Sequence, residues 1–499
     1  VDTLMTKKDL AKLTLFRELV YTHPKELSLE SFSELLQISK RSTLNTIEEL
    51  AHDLEIEKDF KDLEIKKNKY CYSIVNSSPM NIEYFMVSLQ LHYLKNSIQF
   101  NIIYSLLTKH FDSMIQLAEY LYISTPHLYR QMADLKRFLA GFKIDIVFTE
   151  TKNENNLVGS PKHLKTFYYF FYWGISQGIA WPLEDLFPIK KFNKEFKLAF
   201  SAPAHNPSKT KKLEILFLLS YLDKRNPPFT LSEDIKEIAT IFKELNDVSV
   251  YSHDYLTDED ELLFINLLSR ISISELDNLE EKVALYSQVE SLNSPIVKHS
   301  TELTESIFTQ FFPDVFISIE DRAVTFYYIF IFHIYIYYFD TDLSVLFANP
   351  VSLKRFSTKS ERFKLIEHKI MHFFHSITTE YNMKVDEKYL NGYYFLIASI
   401  IDYVDPMYLK IYIQYSKHVA GVNIIKRKLF TMFGKENIVI VDDINDARII
   451  ISDCFEHQKP DQILFFITEI SRPEMWQNLM LLILKEKFQK SFRFPFILE

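Results

Sequence analysis

Glycine is scarce in this chain, with only 7 among 499 residues, and none belongs to a G-x-G-x-x-G or Walker-type run. Phosphate-cradling loops need glycine where backbone approaches the ligand, so nucleotide-binding loops of those types are excluded. Cysteine is scarcer still. Cys71 and Cys454 lie far apart without metal-type spacing, which fits a reducing cytoplasm. Long apolar runs are missing too. The nearest, Val324–Phe339, has 16 residues, carries His333, and is bracketed by Asp321, Arg322, Asp340 and Asp342. A membrane span needs about 20 residues, so a buried core helix is expected there and no membrane partner. No signal peptide is recognised at the N-terminus. No Ser/His/Asp triad or paired-carboxylate pattern stands out, so the chain is not expected to be an enzyme. No cofactor or metal is implied.

Apolar residues make up 47% of the chain, with 43 Phe and 29 Tyr, ample for several cores. The length corresponds to roughly three to five domains. The net charge of −9 is unevenly spread. Residues 1–165 hold 21 Lys plus Arg against 21 Asp plus Glu, a difference of 0, so the whole acidic excess lies downstream. A local basic face is enough for phosphate contact, and an acidic remainder limits non-specific sticking.

Two stretches 85 positions apart repeat one pattern. Phe32, Leu36, Ile38, Ser39, Ile47, Leu50 and Leu54 recur as Leu117, Leu121, Ile123, Ser124, Met132, Leu135 and Leu139. The first three apolar positions fit one face of a short helix; the serine sits where a second helix is N-capped; the last three face back onto the first helix. That is a helix-turn-helix plan, whose second helix enters the major groove. A lead helix over 7–22, a second over 29–37 and a recognition helix over 40–54 precede alternating runs Leu63–Ile65 and Tyr70–Ile74. These flank Lys67-Asn68-Lys69 and read as a wing hairpin. The second copy places helices within 81–109, 113–121 and 125–140, a stop at Gly141, a strand over Lys143–Phe148 and a polar tip at Thr151–Asn156.

From about 160 to 400 the pattern is helical, with a break at Ser287–Pro295. Beyond Asp405-Pro406, runs at Leu409–Tyr415, Ile438–Val441, Arg448–Ile451 and Ile463–Ile467 alternate with helices near Val419–Phe433 and Pro473–Gln489. This reads as a small α/β domain with a mainly parallel sheet. The fold class is therefore mainly α and multidomain, with two winged helix-turn-helix units (1–78 and 79–160), two helical domains (161–288 and 289–403) and a C-terminal α/β domain (404–499).

In the recognition helices, Leu44, Ile47, Leu50 and Leu54 face inward, while Lys40, Arg41, Thr43, Asn45 and Thr46 are candidate DNA contacts. Thr125, His127, Arg130, Gln131 and Lys136 play the corresponding part in the second. Arg can donate two hydrogen bonds to guanine and Asn can pair with adenine, while Lys and Thr suit phosphates. Lys66, Lys67 and Lys69 of the first wing, and Lys152 of the second, are further candidates. The bland alternatives are surface salt bridges and solvated hairpin tips.

The motifs "LLQISKRSTLNTIEEL" and "LAEYLYISTPHLYRQMADLKRFL", with the domain order behind them, resemble the Mga/AtxA-type virulence regulators of Gram-positive bacteria. The resemblance implies a cytoplasmic, dimeric transcription activator that binds double-stranded promoter DNA. It also implies two PTS regulation domains (PRDs), phosphorylated on histidine by the phosphocarrier protein of the sugar phosphotransferase system, and a C-terminal EIIB-like domain. Glu261–Leu268 resembles a PRD helix start, but Leu268 stands where a histidine belongs. His205 and His333, then His253 beside Asp254, are the phosphorylation candidates. His368, His372 and His375 share a helical spacing but lack carboxylate or cysteine partners, so a packing face is expected rather than a metal site. An EIIB nucleophile would follow the first strand, yet Tyr415–Gly421 holds no cysteine, and Cys454 is expected to be a buried structural thiol. Self-association through this domain and the PRDs is the role expected instead. The alternatives are an RNA-binding PRD antiterminator and a helical protein-interaction scaffold.

Overall fold

The computed structural model describes residues 4–21, 26–149, 155–196, 207–222, 230–249, 255–273, 276–313, 316–342, 361–380, 386–404, 408–435, 437–454, 459–460, 462–467 and 469–491. The chain forms two compact units. One comprises residues 1–305 with 316–357, the other 306–315 with 358–499.

The first unit opens with helices α1 (Lys7–Tyr21), α2 (Leu29–Leu36) and α3 (Lys40–Ile56). Ser28 and Ser39 start α2 and α3 because each hydroxyl accepts an N–H of the first turn, from Ser31 at 3.1 Å and Ser42 at 3.2 Å. Between the helices Gln37 adopts a left-handed conformation (φ 54°), which lets Ile38 N–H return to Ser33 O. Phe32, Ile47, Leu50 and Leu54 fill the space between the helices. The wing pairs β2 (Leu63–Asn68) with β3 (Cys71–Asn76) from Leu63↔Asn76 to Asn68↔Cys71, and a two-residue strand β1 (Leu27–Ser28) adds to β3.

The second copy follows with α4 (Ile82–Asn96), α5 (Ile98–Thr108), α6 (Met114–Tyr120) and α7 (Thr125–Ala140). Its caps are Ser113 and Ser124. Its turn repeats the left-handed residue at Tyr122, with Ile123 N–H returning to Ala118 O. The second wing is shorter than the expected Lys143–Phe148 strand. Its ladder, β4 (Asp145–Ile146) with β5 (Leu157–Val158), has two pairs. Buried Asn156 holds it instead: its amide donates to Phe111 O at 2.8 Å and Val147 O at 3.0 Å, and accepts from Phe111 N–H at 2.8 Å. The tip residues 151–154 lie outside the described residues.

Among the described residues this unit continues with α8 (Pro161–Ser176), α9 (Ile189–Phe196), α10 (Pro207–Leu222), α11 (Glu233–Leu245), α12 (Glu259–Ser272), α13 (Leu279–Val289), α14 (Pro295–Phe311, whose last residues are assigned to the second unit) and α15 (Ile319–Ile334). The apolar run around His333 is indeed core: α15 and a π-helical turn at Tyr335–Phe339 bury Phe326, Phe330, Ile334 and Phe339. Among the described residues no helix is long and apolar enough to cross a membrane. Buried charges are paired. Lys165 Nζ reaches both Glu261 oxygens at 2.7 and 2.6 Å, and Arg270 grips Asp277 with two bonds at 2.8 and 2.9 Å while also donating to Asn246 O. Within this unit α13 packs along α15.

The second unit holds α16 (Glu361–Glu380) and α17 (Leu390–Val404), joined by Phe374 against Tyr393 at 4.3 Å, and then an α/β layer. Strands β6 (Leu409–Gln414), β7 (Ile438–Ile440), β8 (Ile449–Ser452) and β9 (Ile463–Phe466) pair in the order β7-β6-β8-β9, all parallel. Helices α18 (Gly421–Phe433) and α19 (Pro473–Ser491) supply Ile425, Leu429, Trp476, Leu479 and Ile483 to its core.

Candidate nucleic-acid interface

Each recognition helix has one face spent on packing and the other open. In α3 the inward face runs Thr43, Thr46, Ile47, Leu50, Leu54; in α7 it runs Leu128, Met132, Leu135, Leu139. The open faces carry Lys40, Arg41, Asn45 and Glu48 on α3, and Tyr129, Arg130 and Ala133 on α7, with Thr125 and His127 half-buried. Because both helices are capped by their own serines, their N-terminal ends point a partial positive charge outward beside these residues. Lys40 pairs with Glu30 of α2, whose carboxyl it holds below the usual range. The Arg130 guanidinium lies 3.4 Å from His127 Nδ1.

Residues 82–172 match the family model of the Mga helix-turn-helix domain. The chain therefore contains an Mga-type helix-turn-helix domain. The matched span starts at α4 and ends within α8, so it contains the second copy and leaves the first outside. No curated protein matches the chain.

Within this Mga-type region and its upstream repeat, the burial of two expected contacts, Thr43 and Thr46, corrects them, and others are found with partners inside the chain. Thr43 and Thr46 are buried, and their hydroxyls donate one turn back to Ser39 O at 3.1 Å and Ser42 O at 2.8 Å. They share the i, i+3, i+4, i+7 face with Ile47 and Leu50, which is why nearness to the helix start did not expose them. Gln131 is half-buried and accepts from Gln99 Nε2 at 2.9 Å. Lys136 braces α7 to the wing through Asp145 at 2.9 Å, and that bond is the chief cause of the lowered Asp145 pKa. Lys40, Arg41, Asn45 and Arg130 remain on the surface. So do Lys66, Lys67 and Lys69 of the first wing: Lys66 lies 3.6 Å from Glu64, and Lys67 Nζ 5.8 Å from the Tyr72 ring.

Exposed aromatics were missed by the sequence reading. Tyr129 is 60% exposed on the open face of α7, Tyr122 is 96% exposed in the turn, and Tyr70 is 84% exposed at the first wing tip. The 3.6 phase that places Leu128 and Met132 inward would have placed Tyr129 outward.

Elsewhere in the chain, His205 and His253 lie outside the described residues. His333 is wholly buried. Ser300 gives its proton to Ile296 O at 2.6 Å, so its oxygen accepts from His333 Nδ1–H at 2.8 Å. Burial, with nearby His299 adding to it, pushes the His333 pKa down to about 3. His299 itself is half-buried, with Nδ1 3.1 Å from the Tyr337 hydroxyl. His372 and His375 are exposed, and among the described residues no three His, Cys, Asp or Glu side chains gather as a metal site.

In the α/β layer, the loop after β6 binds a carboxylate of its own chain. Asp453, at the end of β8, accepts from Ser416 N–H at 2.9 Å, Ser416 Oγ at 2.9 Å and Lys417 N–H at 3.1 Å. Cys454 beside it is exposed, correcting the expected buried thiol: it lies two residues past the end of β8, after buried Asp453.

Proposed function

We propose that this chain is an Mga-type transcriptional regulator that binds promoter duplex through the open faces of α3 and α7 and the β2–β3 wing tip. The observation that carries this reading is the pair of serine-capped helices, 85 residues apart, whose N-terminal ends lie at the surface beside Arg41, Asn45 and Arg130. A burial of both ends would have argued for a packed hairpin. Cation and amide donors at such ends can address guanine and adenine edges, and the wing lysines can add phosphate contacts.

The finer reading is an activator that works as a dimer and is tuned by the phosphocarrier protein of the sugar phosphotransferase system. Residues 161–403 would act as its two PRD-like modules. Half-exposed His299 is then better presented than buried His333 to a phosphoryl donor. Residues 404–499 would serve as an EIIB-like module for self-association. The Asp453 carboxylate on the loop amides after β6 supports an interaction role there over a phosphoryl-accepting one.

The test is a gel shift of the full chain with duplex DNA and with hairpin RNA across a salt series. Duplex binding that falls steeply with salt is the expected result. Preference for the hairpin would turn the reading to an antiterminator. Negligible affinity for both at low salt would turn it to a protein scaffold.

A further inference from the structure

Asp53 lies on α3, the reader of the first copy, but its partners lie on other elements. Its Oδ2 accepts from Lys12 Nζ of α1 at 2.6 Å and from the Tyr93 hydroxyl of α4 at 2.8 Å. Lys12 is itself buried, and its ammonium stands 4.4 Å from the Tyr93 ring centre. The same seam carries Arg17 Nη2 on Gln90 Oε1 at 3.2 Å, Phe60 edge-on to Phe85 at 6.5 Å, and Ser97 Oγ donating to Leu4 O. Leu4 and Met5 also line a cavity together with Gln131, Leu135 and Phe138 of α7. The start of the first copy therefore reaches the inner side of the second reader.

The connection between the copies is equally fixed. Residues 77–81 join β3 to α4, and their polar groups are engaged. Ser77 N–H donates to Asp62 O at 2.9 Å, Ser78 N–H to Asn76 Oδ1 at 2.9 Å, and Asn76 Nδ2 to Met80 O at 2.8 Å. Readers on a flexible tether would show a solvated linker and a polar, separable interface. Here one continuous core contains Leu13, Phe16 and Leu50 together with Phe85, Leu89 and Leu135. Parting the copies would also take the Tyr93 hydroxyl away from Asp53 and the Phe85 ring away from Phe60.

We infer that α3 and α7 form one rigid reader, so that the duplex this protein takes carries two sub-sites at a fixed spacing and helical phase. This rests on the DNA-binding reading proposed above. Inserting five base pairs between the sub-sites turns one by about half a revolution and moves it about 17 Å along the axis. A rigid reader cannot follow, and it loses the gain of the second contact, on the order of 100-fold in affinity. A ten-pair insertion restores the phase but not the distance, and is lost as well. A tethered pair would tolerate both.

Two measurements on the full chain decide it. Spin labels at Glu48→Cys and Ala133→Cys, exposed positions on α3 and α7, are read by double electron–electron resonance with Cys71→Ser and Cys454→Ser in the background. A single narrow distance is expected, broadened when Asp53→Ala and Tyr93→Phe are added. With labelled chains diluted in unlabelled protein so that no spin pair spans two copies, a broad or multiple distribution in the parent would overturn the rigid reader without any DNA present. In the second measurement, a duplex selected from a random pool is re-bound after five- and ten-pair insertions between its protected patches. Affinity lost about 100-fold in both supports fixed spacing, and unchanged affinity refutes it. A chain that selects no duplex would remove the DNA-binding reading, while the distance distribution still decides the coupling.

Discussion

Gln37 and Tyr122 hold the same left-handed conformation at the same point of the two helix-turn-helix copies, φ 54° and 55°, and Ser28 and Ser39 cap as Ser113 and Ser124 do. The exposed side chains do not match in this way. Asn45 of α3 stands where α7 has Arg130, half-buried Leu44 where α7 has exposed Tyr129, and Glu48 where α7 has Ala133. The wings differ too, one a ladder of six pairs and the other of two pairs held by Asn156. Packing and turn chemistry constrain what faces inward, because only a few residue types satisfy a cap, a tight turn or a filled core. Nothing comparable restrains the outward face, so two copies of one scaffold can address different base steps.

If the shared interior is what makes the copies alike, equivalent deletions in it should cost alike. Leu50 and Leu135 are both fully buried at the same position. Leu50→Ala and Leu135→Ala should each destabilise the chain by about 2–5 kcal/mol in denaturant unfolding. A loss in one several times that in the other would break the comparison at its root.

Where the copies differ in structure, they should differ in sensitivity. Asn156→Ala leaves Phe111 N–H, Phe111 O and Val147 O without their partner in a buried setting. An orphaned buried group costs about 1–3 kcal/mol, so a loss of roughly that size or more is expected, together with faster amide exchange in the second wing. The first wing, held by its ladder, should keep its exchange protection in this variant. Equal loosening of both wings would show that Asn156 acts globally and not on its own hairpin.

The outward face sharpens the comparison further. Arg130→Ala should weaken duplex binding by about 1–3 kcal/mol and relax the choice of base at one position, read by competition with single-substituted duplexes. Asn45→Ala should do the same at a different position and for a different base. Guanine suits the arginine and adenine the asparagine. Relaxation at one and the same base for both variants would mean that the helices do not read separate sub-sites.

The interior was legible from spacing alone. Phe32, Ile47, Leu50 and Leu54 and their counterparts declared the helix pair, because burial imposes a period that a sequence displays directly. Strand β6 was legible for the same reason, with Leu409, Ile411 and Ile413 buried on alternate positions, and the succession of strands and helices gave a mainly parallel sheet without its order. The surface was less so. Thr43 and Thr46 looked like donors until the phase of α3 turned them inward, and Lys136 looked free until Asp145 approached from a strand whose extent the sequence overstated. Asp53 gave no signal at all, since nothing in a helix sequence says that its carboxylate will meet Lys12 and Tyr93 from two other elements. Chain-distant polar pairs are invisible to periodicity.

The smallest expected effect concerns the caps. Substituting an N-cap serine by alanine costs about 1 kcal/mol, because one N–H of the first turn loses its acceptor, while glycine costs only a few tenths. Ser39 and Ser124 each accept an N–H of the first turn, so Ser39→Ala and Ser124→Ala should each show a loss of about 1 kcal/mol in unfolding experiments. Both variants also leave the helix end less ordered where it is proposed to meet the duplex. Affinity should therefore fall with stability, and the glycine variants should recover most of each. An alanine variant that lost stability but kept full affinity would show that the cap only serves the fold, and that the reader's N-terminal turn is ordered by the DNA itself.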